Sequence, residues 1–155
     1  MYKEVVRRPA ALGALKPLVV VAEDNTEYQK DIVSALRKAF GDAVDVEVTD
    51  TYSVAVELLR KNAGRVCGVV TDVHYYREPL KHGVADDTEI CGLGLIGEAK
   101  RIVLGVPVII ESDTDYSKEA GMLSADAFIL KEEIKEKGPG LFKELFRQKL
   151  FEDLG

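Results

Sequence analysis

Short, unbroken apolar runs alternate along the chain with longer segments whose apolar residues recur every three or four positions. Four of the runs are PLVVVAED (17–24), RVCGVVTD (65–72), VPVIIES (106–112) and ADAFILK (125–131). Continuous apolar stretches of this length, closed by polar residues, are what strands covered on both faces of a sheet require. A fifth, AVDVEVT (43–49), alternates apolar and polar residues instead, as an edge strand with one wet face would.

Between the runs the period changes to that of a helix. NTEYQKDIVSALRKAFG (25–41) puts Tyr28, Ile32, Ala35, Leu36 and Ala39 on one stripe, which Phe40 widens; Asn25 or Thr26 is the N-cap and Gly41 the stop. TYSVAVELLRKN (51–62) places Val54, Leu58 and Leu59 on one face and ends at Asn62 and Gly64. GLGLIGEAKRIVLG (92–105) is a third helix, DYSKEAGMLS (115–124) a short fourth containing Gly121, and LFKELFRQKLFEDL (141–154) a fifth. EEIKEKGPG (132–140) reads as the connection before the last of these. Strand–helix units in strict alternation predict an α/β domain: a doubly wound parallel sheet with helices on both faces, spanning 18–155 after an extension at 1–17. In such a sheet the functional crevice lies at the carboxyl ends of the strands.

Length and charge narrow the function classes. At 155 residues, 46% hydrophobic and 31% charged, the chain suits one globular domain with a real core. A net charge of −6 gives no general basic footprint, so neither nucleic acid nor an anionic membrane is an expected partner. Arg7 and Arg8 precede an apolar stretch, but Pro9, Gly13 and Lys16 break it below the length of an export signal, and no stretch could span a bilayer. Cys67 and Cys91 lack metal-ligand spacing and make no disulfide framework, which points to a reducing cytoplasm.

The chemistry-bearing residues collect at the ends of the apolar runs. The first closes on Glu23 and Asp24, the third strand on Asp72, the fourth on Ser112 and the fifth on Lys131. Any one of these alone is an ordinary strand terminus or solvated charge. Together, converging on one edge of a sheet, the three carboxylates would repel, so they would either hold a divalent cation or keep a proton. Mg²⁺ suits an oxygen-only site, Lys131 would balance an added anion, and the Ser112 hydroxyl could donate to one of its oxygens.

In VVVAEDN, VVTDV, PVIIES and ADAFILK, over residues 17–154, the chain resembles the receiver domains of two-component response regulators. The resemblance implies a flavodoxin-like sheet in the order 2-1-3-4-5. It implies that Asp72 accepts a phosphoryl group from a phosphohistidine or a small phosphodonor, and that Mg²⁺ is held by Glu23, Asp24, Asp72 and the backbone carbonyl of His74. It further implies that Lys131 and Ser112 bind the phosphoryl oxygens, with Ser112 and Phe128 moving together as the switch. The expected partners are a histidine kinase or phosphotransfer protein and a downstream target protein. With no sequence left for an output domain, the expectation is a stand-alone receiver rather than an enzyme with turnover.

Several features depart from that family's pattern. Asp113 follows Ser112 where a small residue is usual, Glu132 follows Lys131 where a proline is usual, and YYREPLKHGVADDTEIC (75–91) looks like an insertion beside the site. They keep open a phosphorylation-independent pseudo-receiver that acts only by binding. A metal-dependent phosphohydrolase is the enzymatic rival. GLGLIG (92–97) matches a dinucleotide fingerprint, with Glu111 as its ribose acid, but no strand directly precedes Gly92. His74 and His82 have no specific ligand spacing. The last helix is apolar on more than one side, through Leu141, Phe142, Leu145, Phe146, Leu150, Phe151 and Leu154, which suits a homodimer or partner face.

Overall fold

A computed structural model describes residues 15–75 and 91–152, with side chains described as far as Arg147 in the last helix. Its strands are β1 (Leu18–Ala22), β2 (Asp45–Thr49), β3 (Val66–Asp72), β4 (Val108–Ser112) and β5 (Ala127–Leu130). They form one all-parallel sheet, as the alternation predicts, in the order β2-β1-β3-β4-β5 that the resemblance to receiver domains implies. The helices are α1 (Thr26–Phe40), α2 (Tyr52–Lys61), α3 (Cys91–Ile102), α4 (Ser117–Met122) and α5 (Ile134–Glu152), the last entered through a 3₁₀ turn at Lys131–Glu133. Among the described residues, no helix is long and apolar enough to cross a membrane.

Alternate residues of each central strand feed two separate cores. Val19, Val21, Val70, Ile109 and Ile129 pack with Ile32 and Leu36 of α1 and with Phe142 and Phe146 of α5. Val20, Val69 and Ile110 pack on the other face with Leu59 of α2, Leu95 and Ile96 of α3 and Ala120 of α4. β2 is an edge strand, its Val46 and Val48 leaning on the first core while Glu47 is exposed, as its alternation predicts.

The local signals act where expected. The Asn25 side chain caps α1 by accepting the N–H groups of Glu27 (3.0 Å) and Tyr28 (3.2 Å), and Gly41 ends it with φ of +57°, a conformation in which a Cβ would be strained. Gly68 has a different reason. β1 and β3 slip register so that Leu18 pairs with Val66 but Val19 with Gly68, and there the Phe146 ring lies on the backbone. A Cβ at Gly68 would come within 2.4 Å of that ring.

Two sequence readings are corrected. The last helix begins at Ile134, so KGPG is helical rather than a connection. Packing overrides propensity here: Ile134 and Phe142 anchor the first turns in the α1 core, and Gly138 lets the backbone approach, its absent Cβ lying 3.2 Å from Ala35 Cβ. In α2 the buried row is Ala55, Val56 and Leu59, while Val54 and Leu58 are half-buried on its flank.

Candidate functional site

The two-residue period of a strand decides which side chains meet. Counting on from the α1/α5 face, Val21 is followed by Glu23, Val70 by Asp72, Ile109 by Glu111 and Ile129 by Lys131. β1, β3, β4 and β5 are neighbours in that order. Their register pairs Ala22 with Thr71, Asp72 with Glu111, and Glu111 with Ile129. The carboxyl ends of four adjacent strands therefore bring Glu23, Asp72, Glu111 and Lys131 to one place, all buried.

Lys131 is the hub. Its ammonium nitrogen is 2.9 Å from Glu23 Oε1, 3.0 Å from Asp72 Oδ2 and 3.8 Å from Glu111 Oε1, and it lies 4.6 Å from the centre of the Tyr28 ring. Backbone N–H groups fix the acids: Val73 N–H donates to Asp72 Oδ1 (2.7 Å) and Asn25 N–H to Glu23 Oε2 (2.9 Å), while the Gln29 side-chain amide donates to the Glu23 main-chain carbonyl (2.6 Å). Among the described residues no such donor serves Glu111, whose two oxygens receive no hydrogen bond from an N–H or hydroxyl.

Crowding of like charges away from water sets the protonation. Burial, and then the Glu23 charge, push Asp72 up to about 7 against the pull of Lys131. Burial and Glu23 likewise raise Glu111 well above the carboxylate range. Burial alone would raise Glu23 too, but the proton it shares with Glu111, the Asn25 N–H and Lys131 outweigh that and hold it low. Asp24 is raised by burial and by Glu23. For Lys131 burial pulls downward, and the surrounding carboxylates, Glu111 foremost, outweigh it and raise the ammonium.

The other expected residues lie around this cluster. Ser112 is buried beside it, its hydroxyl accepting the Thr114 N–H at 3.2 Å. Asp24 is half-buried and meets Glu23 but stands outside the mutually close trio of Glu23, Asp72 and Glu111. Phe128 is half-buried on the opposite face of the sheet, across from Ile110. The His74 ring meets Tyr116 edge-on at 5.6 Å. Asp113 is exposed and accepts from the Thr114 hydroxyl, so its carboxylate does not crowd the acids, and Glu132 is exposed in the 3₁₀ turn.

The segment after Asp72 is pinned at both described ends. Tyr75 is fully buried, its hydroxyl 3.1 Å from Thr71 Oγ1, which in turn donates to the Asp72 carbonyl. Gly92, the first glycine of GLGLIG, donates its N–H to the Val73 carbonyl at 3.0 Å, and a Cβ there would fall 1.7 Å from the Asp72 carbonyl oxygen. Close packing of α3 on β3 explains this glycine without a nucleotide. His82 and most of the 75–91 segment lie outside the described residues, as do the side chains of Leu150, Phe151 and Leu154.

Glu23, Asp72 and Glu111 each place an oxygen within 4.8 Å of the others. An all-oxygen, carboxylate-rich set with two undonated oxygens fits a hard divalent cation such as Mg²⁺. Glu111 is the member that sequence reading does not bring in. It sits inside the run VPVIIES rather than after it, and an unbroken apolar run carries no alternation to show which face it joins.

No protein-family model and no curated protein matches the chain. Solved structures do. A response regulator receiver domain protein from Clostridium thermocellum is 17% identical, with a TM-score of 0.64 over 87% of this chain and 98% of that one. The phosphorylated cyanobacterial phytochrome response regulator RcpA is 16% identical, with a TM-score of 0.63 over 86% of this chain and 96% of its own. The RcsB response regulator of Salmonella typhimurium is 16% identical, with a TM-score of 0.64; 86% of this chain covers 61% of that longer one. The chain has the fold of response regulator receiver domains.

Proposed function

We propose that the protein is a phosphoryl-accepting receiver, with Asp72 as the acceptor and binding to other proteins as the output. The observation that carries this reading is Asp72 itself. It is a buried carboxylate at a strand end, ion-paired to a buried lysine at 3.0 Å and flanked by further carboxylates able to hold a cation.

In the proposed reaction an Asp72 oxygen attacks the phosphorus of a phosphohistidine on a kinase or phosphotransfer protein, or of a small acyl phosphate. A P–O bond forms as the donor's P–N or P–O bond breaks, and the donor leaves as imidazole or carboxylate. Phosphoryl transfer asks mainly for positioning and charge neutralisation. Val73 N–H orients the attacking carboxylate, and Lys131 pairs with the incoming oxygens. Glu23, Asp24, Asp72 and the His74 backbone carbonyl would hold Mg²⁺, which would supply the remaining positive charge when bound. Ser112 donates its hydroxyl to a phosphoryl oxygen, and Phe128 repacks as that loop moves, which alters the surface offered to a target. Modified once per cycle, such a protein is not an enzyme with turnover. A kinase partner and cytoplasmic location belong to the same reading.

A phosphorylation-independent module is favoured by one observation: Glu111 adds a carboxylate where an incoming phosphoryl group needs positive charge. Beryllofluoride, which mimics an acyl phosphate on a carboxylate, separates the two. In the presence of Mg²⁺, bound ¹⁹F resonances on the wild type that vanish in Asp72→Ala support the acceptor. No bound signal supports the binding-only module.

A further inference from the structure

We propose that Glu111 is itself a ligand of the divalent cation, so that β4 contributes a third carboxylate beside Glu23 of the β1 end and Asp72 of β3. This rests on the metal-dependent reading above and adds to it a residue from a strand that the acidic pair and the acceptor do not involve.

Three observations converge. Glu111 occupies the site-facing position of β4 directly opposite Asp72, where the preceding Ile109 on the same face is core. An apolar residue would be the ordinary occupant, and a fully buried carboxyl there costs desolvation unless something compensates it. Among the described residues little does so: no N–H or hydroxyl donates to either oxygen, the hydrogen bond with Glu23 only joins it to another acid, and the Lys131 ammonium, at 3.8 Å, is nearer to Glu23 and Asp72. Fully ionised, three carboxylates and one ammonium carry two net negative charges, which one divalent cation cancels. The ligand atoms lie within 4.8 Å of one another, and among the described residues the cluster contains no His or Cys. That selects Mg²⁺ or Mn²⁺ over softer metals.

Isothermal titration of the full chain with Mn²⁺ tests this directly, on wild type, Glu111→Gln and Glu111→Met. Both variants remove an ionised ligand, and methionine also suits a core position, so it keeps the test open if the glutamine variant does not fold. The expected result is a Kd raised at least about tenfold, the lower end of what loss of even an outer-shell partner costs. Variants that fold and bind Mn²⁺ as tightly as wild type would overturn the assignment and leave the acceptor reading standing. A wild type that takes up no Mn²⁺ would overturn both.

Discussion

Asp72 and Glu111 are ladder partners across β3 and β4, and both are buried on the sheet face that also carries Glu23 and Lys131. An acid facing an acid across adjacent strands is unfavourable by itself. It persists because Lys131 reaches in from the end of β5, and burial beside Glu23 raises the Glu111 carboxyl and so favours its neutral form. The site is thus held together by one cation among several acids, and it is poised to accept more positive charge.

Lys131→Met should therefore destabilise the protein by about 3–5 kcal/mol, the usual cost of leaving buried charges uncompensated. Added Mg²⁺ should recover part of the loss. Urea unfolding with and without Mg²⁺ measures both. A loss below about 1 kcal/mol, typical of an exposed ion pair, would show that Lys131 is not the hub.

Stability should depend on pH in an uncommon direction. Asp72 is raised from 3.8 to about 7, and Glu111 is raised as well, so between those pH values the folded protein holds more protons than the unfolded chain. The Asp72 contribution to metal-free stability is full below about pH 4 and is lost as pH climbs through about 7, and Glu111 acts in the same direction. Mg²⁺ competes with those protons, so the rise in Tm it produces should be larger near pH 8 than near pH 5. Thermal melts at both values check this; an increment independent of pH would contradict the raised carboxyls.

Gly68→Val should destabilise the fold without touching the site. Its first side-chain atom would meet the Phe146 ring at 2.4 Å, and overpacking of this kind costs about 1–3 kcal/mol. Denaturant titration reads the loss. Phe146→Ala in the same background should recover part of it if the ring is what the valine strikes.

Tyr75→Phe should cost about 0.5–1.5 kcal/mol, the net worth of one buried hydrogen bond. Its hydroxyl bonds Thr71, whose own hydroxyl reaches the Asp72 carbonyl, so the loss should be shared by the acceptor's backbone. Amide exchange at Asp72 and Val73 should quicken; unchanged protection there would show that Tyr75 packs without tethering.

What the sequence made legible follows from how each signal arises. Strand and helix placement follow from apolar runs, an alternating edge strand and caps such as Asn25 and Gly41, all of which act locally, whereas the strand order was legible only through the resemblance to receiver domains. Glu23, Asp72 and Lys131 stood out because each ends an apolar run. Glu111 did not, because its face is fixed by the register against Asp72 and not by any pattern within VPVIIES. KGPG misled for the opposite reason: glycine and proline ordinarily break a helix, yet Gly138 is a position where α5 packs closely against Ala35 of α1.

The central claim is that Asp72 accepts a phosphoryl group, and intact-mass spectrometry after incubation with acetyl phosphate and Mg²⁺ tests it most directly. One phosphoryl adduct on the wild type, absent from Asp72→Asn and abolished by chelation of the metal, is the expected result. A wild type that gains no mass while binding Mg²⁺, or an adduct that persists in Asp72→Asn, would contradict it.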